Sequence, residues 1–172
     1  LIINNSTEAQ VDGGGIYAAH WGTEDTTFIT NVTITQNSAQ AGGGIMTYVE
    51  TIVVIKNSII RGNESVGIEI DHPIQNEIFH EGWSYIINYS NIEGWSDGYG
   101  EWYQGIVLGM INADPLFCNP DSGDYTLEEN SPCVGTGENN VNMGAFGVGC
   151  DSIIVNLVIN EIMQNPSAVN DS

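Results

Sequence analysis

The chain has 172 residues and a formal charge of −20, because 22 Asp and Glu residues stand against Lys56 and Arg61 alone. Nucleic acids and anionic membrane surfaces are bound through many Lys and Arg side chains, so both are excluded as partners. The length fits one domain, or one domain with a fragment of another, and 41% hydrophobic residues are enough to form a core.

The apolar residues are mostly β-branched. The sequence contains 23 Ile and 13 Val but 5 Leu, together with 21 Gly and 19 Asn. β-branched side chains suit pleated sheets, whereas Gly and Asn suit turns. The longest apolar runs, such as 52–55, are too short to cross a bilayer, so no membrane insertion is expected. The composition therefore predicts an all-β protein with many turns.

One strand-and-turn pattern recurs along the first part of the chain. The aligned copies lie at residues 29–37, 55–63 and 87–95, with a fainter copy at 2–5. Successive copies are offset by 26 residues (29 to 55) and 32 residues (55 to 87). Strands that contain Gly followed by hydrophobic residues come after the copies, at 13–17, 42–46 and 66–70.

Repeats of this length with short β segments predict the rungs of a parallel β-solenoid, stacked about 4.8 Å apart. Alternate residues such as Val32 and Ile34 would point into its core. Asn5, Asn37 and Asn63 fall at matching corners, where they either stack into an amide ladder or form ordinary turns. An antiparallel sandwich is the alternative for a β-branched sequence, but recurring unequal repeats with triple-Gly turns argue against it.

These repeats resemble a known family. The runs "GGGIY", "NVTITQNSAQAGGGIM" and "VIKNSIIRGN" resemble the right-handed parallel β-helix repeats of large secreted bacterial surface proteins, over about the first 95 residues. The resemblance implies that residues 1–110 form terminal rungs of such a helix. Because the chain opens on "LIINN", which reads as the inside of a repeat, we expect it to belong to a longer multidomain protein.

Residues 111–150 carry a second pattern. The runs "ADPLF", "GDYTL", "NSPC" and "NMGAFG" resemble the segment that commonly closes such bacterial β-helices. The resemblance implies a capping segment over the open edge and core end of the last rung. Its apolar cover would come from Leu116, Phe117, Tyr125 and Leu127.

All three cysteines, Cys118, Cys133 and Cys150, lie in this segment. Their spacing does not indicate zinc, and a secreted context favours one disulfide with a spare thiol. The pairings Cys118–Cys133 and Cys133–Cys150 both stay open.

Residues 151–172 are interpreted as a linker and the first strand of a truncated domain. The run "VINEIMQNPS" resembles the opening strand of a lamin-tail domain, an immunoglobulin-like module often attached to secreted bacterial proteins.

Parallel β-helices also host polysaccharide lyases and hydrolases, so an enzyme is the competing hypothesis. Lys56 and Arg61 are the bases that a lyase would use, although surface solvation explains them more simply. Glu69 and Asp71 share one strand face at about 7 Å, a spacing that suits a hydrolase, but exposed acids two residues apart are common. Since no second motif supports either chemistry, no catalytic residue is predicted.

Two kinds of ligand are considered. Structural calcium would bind hard acidic oxygens, for which Asp114, Asp121 and Asp124 are candidates, and no other cofactor is expected. Sugar rings stack on aromatic side chains. The candidates for stacking, which otherwise cover the last rungs, are Trp83, Trp95 and Trp102.

Together these features predict a non-catalytic, extracellular or cell-surface bacterial β-solenoid segment with a structural or adhesive role. Its partners would be polysaccharides or other cell-surface components, and other domains of a longer chain. The alternative is part of a polysaccharide lyase or glycoside hydrolase whose active rungs lie upstream.

Overall fold

The computed structural model describes residues 1–7, 11–67, 74–96 and 107–150, and this part of the chain is mostly β. It contains one short α-helix, α1 (Ile74–Glu77), and two 3₁₀ turns, Pro120–Ser122 and Glu138–Asn140. Its strands are β1 (Ile2–Ile3), β2 (Ile16–Thr30), β3 (Thr33–Thr35), β4 (Ser38–Ala39), β5 (Ile45–Lys56), β6 (Ile59–Ile60), β7 (Glu64–Ser65), β8 (Ile78–Asn88), β9 (Asn91–Ile92), β10 (Val107–Leu108), β11 (Phe117–Asn119) and β12 (Asp124–Leu127).

Strands of successive repeats pair in parallel. One sheet has the order β1-β3-β6-β9, a second β2-β5-β8-β10 and a third β4-β7, whereas β11 and β12 form an antiparallel pair. Ile34 pairs with Ile60, and Ile60 pairs with Ile92. This is the register in which the sequence repeats align, so the predicted alignment is confirmed. Each repeat therefore lies directly against the next one.

Columns of Ile side chains from the two four-stranded sheets make up much of the core. All are at most 4% exposed, and each buried Ile contributes about 1.5–3 kcal/mol through removal from water. Val32 packs against this cluster, as the alternation with Ile34 predicted. The columns are Ile29, Ile55 and Ile87 in one sheet, and Ile34, Ile60 and Ile92 in the other.

A ladder of Asn side chains runs from repeat to repeat at one corner. Asn5 donates its backbone N–H and its Nδ2–H to Asn37 Oδ1, at 3.0 and 2.9 Å. Asn37 donates the same two groups to Asn63 Oδ1, again at 3.0 and 2.9 Å. Asn37 also donates to the carbonyl of Thr35, two residues back, so the ladder and the local turn coexist. We call these residues the Asn ladder.

The ladder ends on Glu77, a residue that the repeat pattern did not predict. Its two carboxyl oxygens accept the backbone N–H and the Nδ2–H of Asn63, at 3.2 and 2.5 Å. A carboxyl group suits this end because it accepts hydrogen bonds from both donors. Since Glu77 is 1% exposed, burial raises its pKa from 4.5 to about 8, against the opposing effect of the Asn63 hydrogen bonds.

Glycine allows the corners of adjacent repeats to approach closely. A Cβ atom on Gly14 would lie 2.5 Å from the carbonyl oxygen of Gly43. A Cβ atom on Gly43 would in turn lie 2.3 Å from the carbonyl oxygen of Glu64 in β7. The triple-Gly runs are therefore required by the stacking of repeats, because any side chain would push the backbones apart.

The C-terminal segment (111–150) lies along a side of the repeats. Ile111 bridges to Asn91 of the preceding repeat, and the chain then returns across the β1-β3-β6-β9 sheet. Ala145 N–H donates to Thr33 Oγ1 at 3.0 Å, although the two residues are 112 positions apart. The segment therefore reaches back over earlier repeats, whereas the sequence predicted a cover over the end of the last one.

This segment packs on the face of the sheet that points away from the core. Neighbouring residues of a strand point to opposite faces, and Ile60 lies in the core while Ile59 does not. Ile59 belongs to a second apolar cluster with Leu127, Cys133 and Met143 of the segment. The second cluster attaches the segment because both surfaces lose contact with water.

Candidate functional site

The candidate site is a groove between the repeats and the C-terminal segment. Its volume is about 370 Å³, within the range of small-molecule sites. Gln36, Gly62 and Asp114 on its rim are exposed, so the groove is open to solvent. The repeats contribute Thr35, Gln36, Arg61 and Gly62, and the segment contributes Asp114, Pro115, Phe117, Pro120 and Tyr125.

Arg61 links the two walls of the groove. Its Nη1–H donates to the carbonyl oxygen of Ala113, and Nη2 lies 3.9 Å from Glu93 Oε1. The other Glu93 oxygen accepts the backbone N–H of Gly62 at 2.8 Å. The Arg61 side chain is 20% exposed, so it is partly buried rather than solvated as a surface residue. Its first role is to hold the C-terminal segment on the repeats.

Lys56 also binds this segment, at a different place. Its Nζ lies 2.8 Å from Glu138 Oε2, and Glu138 N–H donates to Asn57 Oδ1 at 2.8 Å. Lys56 and Glu138 side chains are 32% and 38% exposed, so the ion pair is worth at most about 1 kcal/mol. Both cationic side chains of the chain therefore connect the repeats to the segment.

The polar groups of the groove include donors and acceptors. Asp114 Oδ1 accepts the backbone N–H of Leu116 at 2.9 Å and thereby shapes the turn. Gln36 Oε1 accepts the Tyr125 hydroxyl at 2.7 Å, across 89 positions of the chain. The Gln36–Tyr125 hydrogen bond joins the two walls, as the hydrogen bond from Arg61 to Ala113 also does.

The apolar part of the groove is built around two aromatic rings. Phe117 and Tyr125 pack edge to face, with ring centroids 5.2 Å apart and planes at 78°. Tyr125 is 3% exposed, whereas Phe117 is half-buried. Burial, with a smaller effect of the nearby Asp121 charge, raises the pKa of Tyr125 above its usual value. The tyrosine therefore stays neutral and keeps its hydroxyl donor for Gln36.

Trp95, the stacking candidate whose side chain the structure describes, does not line this groove. Trp95 is 8% exposed and lies in the core cluster, so its ring is not presented to a sugar. For Trp95, this position is consistent with the second possibility considered from the sequence, that the ring covers the last repeats. Trp83 is described in its backbone alone, and Trp102, Glu69 and Asp71 lie outside the described residues.

The calcium candidates do not form a cluster in the described part of the chain. There, no group of three or more His, Cys, Asp and Glu side chains is placed to hold a metal ion. Asp124 Oδ1 accepts the hydroxyl and the backbone N–H of Thr126, and these bonds lower the pKa of Asp124. Calcium binding at Asp114, Asp121 or Asp124 stays a prediction.

The disulfide joins Cys118 to Cys150, with Cα atoms 5.2 Å apart, and Cys133 is the free thiol. One bridge with a spare thiol was expected, but neither pairing considered from the sequence was right. The β11–β12 pair and the bridge from Leu127 to Val148 bring the two partners together. Cys133 is instead fully buried in the second cluster, where Asn91 Nδ2–H donates to its sulfur.

No protein-family model, curated protein or solved structure matches this chain. In the residues that the structure describes, no helix combines the length and the apolar character needed to cross a membrane.

Sequence reasoning singled out Arg61, Asp114, Phe117 and Tyr125 separately and did not bring them together. Arg61 was considered as a base, Asp114 as a calcium ligand and the two aromatic residues as apolar cover. Gln36, the fifth residue of interest, carried no signal of its own. The groove depends on contacts across 89 positions, and no local pattern reports such contacts.

Proposed function

We propose that the chain is a non-catalytic segment of an extracellular or cell-surface bacterial protein, folded as a right-handed parallel β-helix with a structural or adhesive role. Parallel pairing between successive repeats, with the Asn ladder at one corner, supports the solenoid. A connection between parallel strands of one sheet is right-handed in about 98% of cases. The disulfide supports an oxidising compartment outside the cytosol.

The observation that carries the non-catalytic proposal is the use of both cationic side chains in contacts within the chain. A lyase that removes a proton beside a uronate needs a base and a cation for the substrate carboxylate. Lys56 is paired with Glu138, and Arg61 contacts Ala113 and Glu93. Glu138 and Ala113 both belong to the C-terminal segment, so the two cationic side chains attach this segment to the repeats at two separate places.

The high acidic charge suits this role. A net charge of −20 keeps an elongated protein soluble and discourages pairing between exposed sheet edges. Its partners would be polysaccharides or other cell-surface components, and other domains of a longer chain.

The test is incubation with a panel of acidic polysaccharides, with ultraviolet detection of unsaturated products and reducing-end detection of hydrolysis. We expect no products. Lys56→Met and Glu138→Gln provide matched variants, because each breaks the same ion pair. Products that disappear in the Lys56 variant but persist in the Glu138 variant would overturn the proposal in favour of a lyase.

A further inference from the structure

We propose that the groove between the repeats and the C-terminal segment binds a neutral sugar unit of a polysaccharide. Arg61 and Asp114 would hydrogen-bond neighbouring hydroxyl groups of the sugar, and Phe117 would pack on its ring. This inference rests on the adhesive role proposed above, and it names the ligand class and the residues.

The groove offers polar groups of both kinds. A guanidinium group has five N–H donors, and the described contacts of Arg61 engage its two Nη atoms once each. Asp114 uses Oδ1 within its own turn, and its Oδ2 has no hydrogen-bond partner among the described residues. The same holds for Nε2 of Gln36, whose Oε1 is occupied by Tyr125. A sugar hydroxyl donates and accepts, so the hydroxyls of one sugar match a carboxylate and a guanidinium that line the same groove.

The apolar surface of the groove suits the C–H face of a sugar ring. Phe117 is half-buried and held in place by the edge-to-face contact with Tyr125. Pro115 and Pro120 extend the apolar wall on the same side. Rigid rings of this kind lose little conformational entropy on binding, so contact with a sugar ring favours the complex.

The charges around the groove argue against anionic ligands and metal cations. Arg61 is its one cation among the described residues, and Asp114, with Glu93 next to Arg61 and Asp121 near Tyr125, makes the site acidic overall. A uronate or phosphate would be repelled by these carboxylates. A metal cation would find a single lining carboxylate, Asp114, with the Arg61 guanidinium in the same groove. A neutral ligand with many hydroxyl groups avoids both problems.

The test is calorimetric titration of the full chain with neutral hexasaccharides of glucose, mannose, galactose or xylose, and with hexagalacturonate as the acidic probe. The variants are Asp114→Asn, which keeps the Oδ1 acceptor for Leu116 N–H, and Phe117→Leu, which keeps an apolar side chain. Glu129→Gln is the matched control, because it removes one exposed negative charge outside the groove lining. Unfolding midpoints show whether each variant remains folded.

We expect at least one neutral hexasaccharide to bind. Its affinity should fall about tenfold or more in the Asp114 and Phe117 variants, because each variant removes a contact with the sugar. A tenfold fall in affinity corresponds to about 1.4 kcal/mol. The Glu129 variant should bind as the unchanged chain does. The inference is overturned if no neutral hexasaccharide binds at millimolar concentration, if hexagalacturonate binds more tightly, or if neither groove variant weakens binding. Sugar binding that is insensitive to the groove variants would place the site elsewhere while leaving the adhesive role intact.

Discussion

Replacing Asn37 with Ala should remove the middle of the Asn ladder. Asn37 is 1% exposed, and its Nδ2 donates to Asn63 Oδ1 and to the carbonyls of Thr35 and Ile2. Its Oδ1 accepts two bonds from Asn5. Each buried bond is worth about 0.5–1.5 kcal/mol, and a partner left unsatisfied costs about 1–3 kcal/mol. We therefore expect the free energy of unfolding to fall by about 3–5 kcal/mol.

Equilibrium urea unfolding followed by circular dichroism measures this change. With a slope of about 2 kcal/mol/M, the midpoint should fall by about 1.5–2.5 M. Asn5→Ala removes a single side-chain bond at an exposed end of the ladder and should cost about 1 kcal/mol or less. Asn130→Ala changes an exposed turn residue and should stay within about 0.5 kcal/mol. An Asn37 variant no less stable than the Asn5 variant would refute the role of the ladder.

Three further predictions concern other buried positions. The pKa of Glu77 rises from 4.5 to about 8 on folding, so its contribution to stability is present below pH 4.5 and is lost as the pH rises toward 8. Relative to the Glu77→Gln variant, the free energy of unfolding of the unchanged chain, measured by urea titration, should fall by about 1.4 kcal/mol per pH unit between pH 5 and 7.5. Parallel plots of unfolding free energy against pH for the two chains would contradict this. Gly43→Ala should abolish or strongly weaken cooperative thermal unfolding, because its Cβ would lie 2.3 Å from a carbonyl oxygen. Gly147→Ala is the control and should have little effect, because the nearest atom to its Cβ would be 3.4 Å away. Equal effects of the two variants would argue against close stacking of the repeats. The Cys133 thiol is fully buried, and burial also raises its pKa, so it should resist a thiol reagent in the native chain. In denaturant, before the disulfide is reduced, the chain should show one reactive thiol. Rapid labelling of the native chain would be inconsistent with the buried position of Cys133.

The stacking of the repeats could be predicted from the sequence. The alignment that placed Ile34, Ile60 and Ile92 at equivalent positions is the register of their sheet. Asn37 and Asn63 likewise form a ladder at the corner where the alignment put them. The reason is that each repeat contacts its immediate neighbours, so the same side chain recurs wherever the same contact recurs.

The end of the ladder could not be predicted in this way. Glu77 lies 14 positions after Asn63, whereas the earlier steps from Asn5 to Asn37 and from Asn37 to Asn63 are 32 and 26 positions. It is also a different residue type on a short helix, α1. A repeat pattern identifies positions that recur, and Glu77 does not recur.

By itself, the sequence determined the β-rich composition, the repeat register and the Ile core, because these follow from local periodicity and from contact between adjacent repeats. The tertiary structure alone decided where the C-terminal segment lies, how its cysteines pair and which residues line the groove. Gln36 meets Tyr125 across 89 positions, and Thr33 meets Ala145 across 112. Such contacts depend on the direction in which the chain returns over the sheet, where the segment packs on the apolar cluster around Ile59.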